Sequence, residues 1–170
     1  LIDAGADVNI QTNKLETSLI VTAWYGGGHG AGIMRLLINT GADVNMQDKD
    51  GNTALIHAAV RGGEHGTGMI RLLINTGADT NKQNNYGHTA LMCTARYGGK
   101  HGVRMMCLLL YTGADINKQN NDKSTALMLS AMHGREHAAG MMHLLLNAGA
   151  NVNMQDKDGN TALMIAAEYG

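Results

Sequence analysis

The feature that most constrains this chain is a repeat of fixed length. Gly-Ala-Asp occurs at Gly5, Gly41, Gly77 and Gly113 and returns as Gly-Ala-Asn at Gly149, each 36 residues after the last. A period of this size marks a short supersecondary unit that cannot bury its apolar face alone and is stacked on its neighbours. The stretch from Asp48 to Gln83 shows the unit in full. It carries one apolar run ending in small residues (Thr53 to Ala59), a glycine-rich gap, a second apolar run (Met69 to Ile74), and a polar segment without helical periodicity. That order predicts helix, loop, helix and extended hairpin.

Thr53-Ala54-Leu55 followed by Ala58-Ala59, then Leu72-Leu73-Ile74, then Gly77-Ala78-Asp79, resembles the ankyrin repeat in order and nearly in spacing. The resemblance covers the whole chain. It implies an all-α repeat solenoid of helix-loop-helix units joined by β-hairpin-like loops, and a role in binding another protein. Two positions depart from the family pattern: Ala stands where proline usually follows the threonine (Ser18 in the first copy), and Ile or Met stands where histidine usually follows the leucine. A threonine-to-histidine hydrogen bond is therefore absent. The family period is usually 33, so three residues have been inserted between the two helices.

The division that follows is a single repeat domain with full copies at 12–47, 48–83, 84–119 and 120–155 and partial copies at 1–11 and 156–170. The chain opens inside a second helix and closes after a first one, which reads as a segment of a longer array. Ends of this kind expose apolar faces that favour association. Thr17, Thr53, Thr89, Thr125 and Thr161 are placed to cap the first helices. Gly41, Gly77, Gly113 and Gly149 are placed to end the second ones in the left-handed conformation. Asp50-Gly51, Tyr86-Gly87 and Asp158-Gly159 supply turn chemistry at the hairpin tips. Leu15 and Lys123 replace that glycine, so those two tips are expected to have a different backbone.

Thirteen basic and 14 acidic residues give a formal charge of -1, which disfavours phosphate backbones and anionic membranes as primary partners. No apolar run reaches the roughly 18 residues of a membrane span. Cys93 and Cys107 occupy positions filled elsewhere by unrelated residues, so unpaired thiols in a reducing, cytoplasmic setting are expected. With no Phe or Pro and 12 Met, packing relies on flexible side chains.

The insertion contains Gly26-Gly27-Gly28-His29, Gly62-Gly63-Glu64-His65, Gly98-Gly99-Lys100-His101 and Gly134-Arg135-Glu136-His137. Three or four glycines at about 1 kcal/mol each against Ala favour a longer loop over a longer helix. The four histidines recur at the repeat period. A metal ladder is the sharper reading, but copies stack roughly 10 Å apart while zinc needs nitrogens at about 2.0–2.1 Å. The expectation is that each imidazole caps the second helix or bonds a carbonyl of the next loop, and no cofactor or metal is assigned. His133 and His137 are four apart, with Gly134 between them expected to end the helix. Asp48, Asp50, Asp156 and Asp158 look like half of a calcium loop but lack its bidentate glutamate, so they read as turn formers. No motif of an enzyme active site occurs in the chain.

The resemblance implies that a protein partner docks on the concave face, made of the hairpin tips and the ends of the first helices. In this chain those positions include Trp24, Tyr25, Arg61, Arg96, Tyr97, His133 and Tyr169 at helix ends, with Lys49, Asp50, Asn52, Tyr86 and His88 at tips. Five of the six aromatic residues fall there, all but Tyr111. Aromatics and arginines carry most interface energy. The competing function is a structural spacer within a longer array.

Overall fold

The computed structural model describes residues 4–133 and 135–169, and the side chain of Arg135 is not described. Among the described residues there is no β-strand. Helices alternate in pairs: α1 (Ser18–Tyr25) with α2 (Gly30–Asn39), α3 (Ala54–Arg61) with α4 (Gly63–Asn75), α5 (Ala90–Tyr97) with α6 (Gly102–Tyr111), and α7 (Ala126–His133) with α8 (Ala138–Asn147), before α9 (Ala162–Tyr169). Helix α1 packs on α3, α3 on α5, α5 on α7 and α7 on α9, while α2, α4, α6 and α8 form a parallel second row. Each pair touches its neighbours in the row, so the core is a continuous seam.

The first helices start at the expected caps. Thr17, Thr53 and Thr89 accept the N–H of Ile20, Ile56 and Met92 at 3.3 Å, and Thr125 and Thr161 accept those of Met128 and Met164 at 3.4 Å. Ala23, Ala58, Ala59 and Ala95 are completely buried, which lets adjacent helices approach closely. Met34, Met105 and Met106 are completely buried as well, filling the space that larger rigid side chains would overfill. The second helices end in a full Schellman motif. After α2, Ala42 N donates to Leu37 O and Gly41 N to Ile38 O, both at 3.0 Å, with Gly41 at φ 94°. The same pair of bonds closes α4, α6 and α8.

The segments between second and first helices are hairpin-like in connection but hold only two backbone bonds each at the tip, as in Asp48 N to Asn52 O and Gly51 N to Asp48 O. Asp48 Oδ1 accepts from Asp50 N and Asn52 N, so this aspartate is a turn former as expected. Neighbouring tips are laced together: Lys49 N bonds Lys14 O, Asn85 N bonds Asp50 O, Asn121 N bonds Tyr86 O and Lys157 N bonds Asp122 O.

Two expectations need correction here. Leu15 and Lys123 do not change the tip backbone: both adopt φ 58°, the left-handed region that Gly51, Gly87 and Gly159 occupy elsewhere. The turn imposes this, because Leu15 N donates to Thr12 O and Thr12 Oγ1 accepts from Lys14 N and Glu16 N, the same pattern as at Asp48. At Gly51 and Gly87 the following tip crowds the place a Cβ would take, through its backbone as well as its asparagine side chain. A Cβ on Gly51 would stand 2.6 Å from Asn85 Oδ1, and one on Gly87 2.7 Å from Asn121 Oδ1. The tips that follow Leu15 and Lys123 carry Lys49 and Lys157 in that place.

The insertion is also not an open loop. Gly27–His29, Gly99–His101 and Arg135–His137 each form a 3₁₀ turn running into the second helix, and in the second copy α4 itself begins at Gly63. The glycine penalty is outweighed because coiling satisfies backbone N–H groups that a packed junction would otherwise strand. Gly30 N donates to Gly27 O, Gly102 N to Gly99 O, and Gly66 N to Gly62 O. In the first and third junctions one glycine, Gly27 or Gly99, takes positive φ near 50° to redirect the chain, and in the second both Gly62 and Gly63 do, at 57° and 67°. The equivalent position in the fourth copy, Gly134, lies outside the described residues, as does the helix stop expected of it.

Candidate functional site

Three cavities meet between the hairpin tips and the ends of the first helices, and Arg96 lines all of them. The largest, about 780 Å³, is bounded by Arg96, Tyr97, Gly99, His133, Glu136, His137 and Met141. A second of about 470 Å³ adds Asn52, Asn84, Tyr86, His88 and Asp122, and a third of about 210 Å³ continues to Met132, His133 and Lys157. A fourth of about 250 Å³ lies at the other end of the row, between Lys14, Glu16, Asp48, Lys49 and Asp50 on the tips and Trp24, Tyr25 and His57 on the helix side. Together they mark a groove that crosses several copies.

The structure brings most of the expected residues to this groove. Tyr25, Tyr86 and Tyr97 are exposed at its edges, at 71%, 64% and 47%. Trp24, by contrast, is half-buried. Its ring meets His57 edge-on at 5.2 Å and is covered by Arg61, whose guanidinium carbon lies 5.5 Å from the ring centre. Arg96 lies over Tyr97 at 5.3 Å. Tyr169 is exposed at the end of α9 but lines none of these cavities. Tyr111, on the opposite helix row, is 93% exposed.

The polar groups are held across copies. His88 Nε2 lies 2.8 Å from Asn120 Nδ2. Asn120 Oδ1 is committed to the N–H groups of Asp122 and Ser124. The amide must therefore present its NH₂ to His88, and Nε2 must be the unprotonated acceptor. Burial, and then the positive charge of Arg96, hold the His88 pKa below its ordinary value, against a smaller opposing pull from Asp122. The amide of Asn84 makes the equivalent contact one copy earlier, donating to Asn52 Oδ1 at 2.8 Å. Lys157 Nζ donates to Asp122 at 2.7 Å, which lowers the pKa of Asp122 and raises that of Lys157. Cys93, under the second cavity, is buried, and burial pushes its thiol up to about 12; Cys107 is exposed and both are unpaired.

Sequence reasoning missed the contact between His57 Nε2 and Asp48 Oδ2, 2.7 Å long and largely buried. The available signal was a lone histidine at a position filled elsewhere by Val21, Cys93, Leu129 and Ile165. It also missed that the insertion contributes Gly99, Glu136 and His137 to the largest cavity, extending the groove past the first helices. The expected role of the insertion histidines is corrected. His29, His101 and His137 precede their helices with helical backbone angles and make no capping bond. The 3₁₀ turn has already supplied acceptors for those N–H groups, so nothing is left to cap. His65 instead lays its ring against Gly28 of the preceding copy, Cε1 lying 3.5 Å from where a Cβ would stand. His137 pairs with Glu136 at 3.2 Å. Among the described residues, no three His, Cys, Asp or Glu side chains converge as a metal site would need.

The family model described as ankyrin repeats (three copies) matches residues 19–119 and 99–170. The chain belongs to the ankyrin-repeat family. No curated protein matches it. Ankyrin repeats in general mediate protein–protein interaction and are typically binding scaffolds rather than enzymes. No helix among the described residues is long and apolar enough to cross a membrane.

Proposed function

We propose that this ankyrin-repeat chain binds a protein partner along the groove between its hairpin tips and first-helix ends, with full copies 12–47 to 120–155 acting as one recognition surface. The observation that carries this reading is the convergence of three cavities on Arg96, flanked by the exposed rings of Tyr86 and Tyr97. A rigid aromatic beside an arginine loses little entropy on binding and offers both apolar area and directed N–H groups. The residues concerned vary from copy to copy while the framework repeats, as expected where a partner sets them. No catalytic role, metal or cofactor is assigned. The two unpaired cysteines support a reducing, cytoplasmic setting.

The test compares proteins captured from a cell extract by the parent chain, by Tyr86→Ala and Tyr97→Ala, and by Arg35→Ala and Arg71→Ala on the second-helix row. A partner of the groove is lost with the tyrosine variants, by about 2 kcal/mol or about 30-fold in affinity for an anchor, and kept with the arginine variants. The reverse pattern refutes the docking face. Trp24 is not used, because truncating it also removes its packing on His57.

A further inference from the structure

We infer that the second cavity takes the carboxamide of an asparagine or glutamine side chain from the protein partner, an inference that rests on the groove reading above. Val60 and the buried Cys93 line this cavity, so it reaches below the tips and is deep enough for a side chain. His88, Arg96 and Asp122 line it too and are shared with the third cavity. Much of the remaining polar lining is engaged within the chain. Asn84 gives its NH₂ to Asn52 and its Oδ1 to the N–H groups of Tyr86 and His88, and Asn121 gives its NH₂ to Asn85 O.

Two groups each keep one unused hydrogen-bonding atom. With Nε2 accepting from Asn120, the neutral His88 ring carries its proton on Nδ1, and that N–H has no partner among the described residues. Asp122 Oδ1 takes Lys157 Nζ and leaves Oδ2 open. Arg96 and Asp122 act on the His88 pKa in opposite directions, so the three lie close together. Across the two cavities Arg96 and Lys157 stand against Asp122, Asp156 and Asp158. An entering carboxylate meets three groups of its own sign and an entering ammonium meets two, so neither ion is selected. A donor and an acceptor near each other, where neither sign prevails, match a neutral group that has both. A carboxamide offers its acceptor and its donors on separate atoms, whereas a hydroxyl must serve both partners through one oxygen. An apolar side chain would leave both atoms unpaired.

The test is selection from a random peptide library displayed on phage against the whole chain. Affinities of a selected peptide, and of its copy with Asn or Gln replaced by Leu or Met, are then measured for the parent, His88→Asn, Asp122→Ala, Tyr86→Ala and Tyr97→Ala. His88→Asn keeps the joint in the form that Asn52 and Asn84 give it but withdraws the ring N–H, and Asp122 is an exposed tip residue whose truncation spares the core. The expected result is enrichment of Asn and Gln over the input library and a loss of about tenfold or more when the amide is replaced, by the apolar residue or by Asp or Glu. That loss shrinks to less than about threefold in His88→Asn and in Asp122→Ala. Peptides that depend on Tyr86 or Tyr97 but show no amide enrichment, or whose amide is worth as much in both variants as in the parent, overturn this inference and leave the groove reading standing. Peptides insensitive to Tyr86 and Tyr97, or no selected peptide at all, overturn both.

Discussion

Glycines in the second helices and their junctions separate into two kinds, and alanine substitution distinguishes them. Gly68 lies inside α4, is exposed, and a Cβ placed on it meets nothing within 4 Å; Gly32 in α2 is the same. Alanine replaces glycine inside a helix with a gain of about 1 kcal/mol, in part by restricting the unfolded chain. The two sites share no partner, so together they give about 2 kcal/mol. For a chain of this size that raises the melting temperature by about 4–8 °C. Gly98 behaves oppositely although its backbone, φ −66°, suits any residue. A Cβ there would stand 2.6 Å from both Gly102 Cα and Thr94 O, backbone atoms that cannot swing aside. Overpacking of this kind costs about 1–3 kcal/mol. Thermal and urea unfolding followed by circular dichroism measures both. If Gly98→Ala stabilises as Gly68→Ala does, the junction is an open loop and the account of the insertion as a tight helical turn is wrong.

Other substitutions probe the joints. Because the His88 pKa is lowered in the folded chain, its contribution is complete above the ordinary value of 6.5 and is lost as pH falls through 6.5 toward the folded-state value. His88→Asn copies the uncharged Asn52–Asn84 contact, so urea unfolding from pH 8 to pH 5 should show the stability of the parent relative to that variant falling; a difference that does not change with pH contradicts the assignment of Nε2 as acceptor. Thr94 Oγ1 is buried without a hydrogen-bond partner, whereas Thr22 Oγ1 reaches Ser18 O and Ser130 Oγ reaches Ala126 O. Thr94→Val should therefore stabilise by about 1 kcal/mol, and destabilisation in the same unfolding assay would show that the hydroxyl has a partner.

What could be read from the sequence is what repeats. Helix pairs, the threonine caps and the closing glycines recur five or four times, and each is set by local chemistry, so Thr53 or Gly77 could be placed from its neighbours. The tip at Leu15 could not, because its backbone is dictated by Thr12 and by the lacing to Lys49 rather than by the preference of leucine. The insertion was misjudged for a related reason: propensity charges every glycine with the cost of a free helix and omits the backbone groups that a packed junction must satisfy. At the groove, the positions of Tyr86, Arg96 and Tyr97 followed from the family frame. The pairs Asp48–His57 and His88–Asn120 did not, since neither combination of residue types recurs at the repeat period; the first lies within one copy and the second joins neighbouring copies.

The central claim is that a protein partner lies across Arg96 between the tips and the first-helix ends. A photoreactive amino acid placed singly at position 86, 97 or 71, followed by irradiation in cell extract and mass spectrometry, tests it most directly. The account predicts that one and the same protein is crosslinked from positions 86 and 97 and not from 71. Crosslinking of that protein from position 71 alone would contradict it.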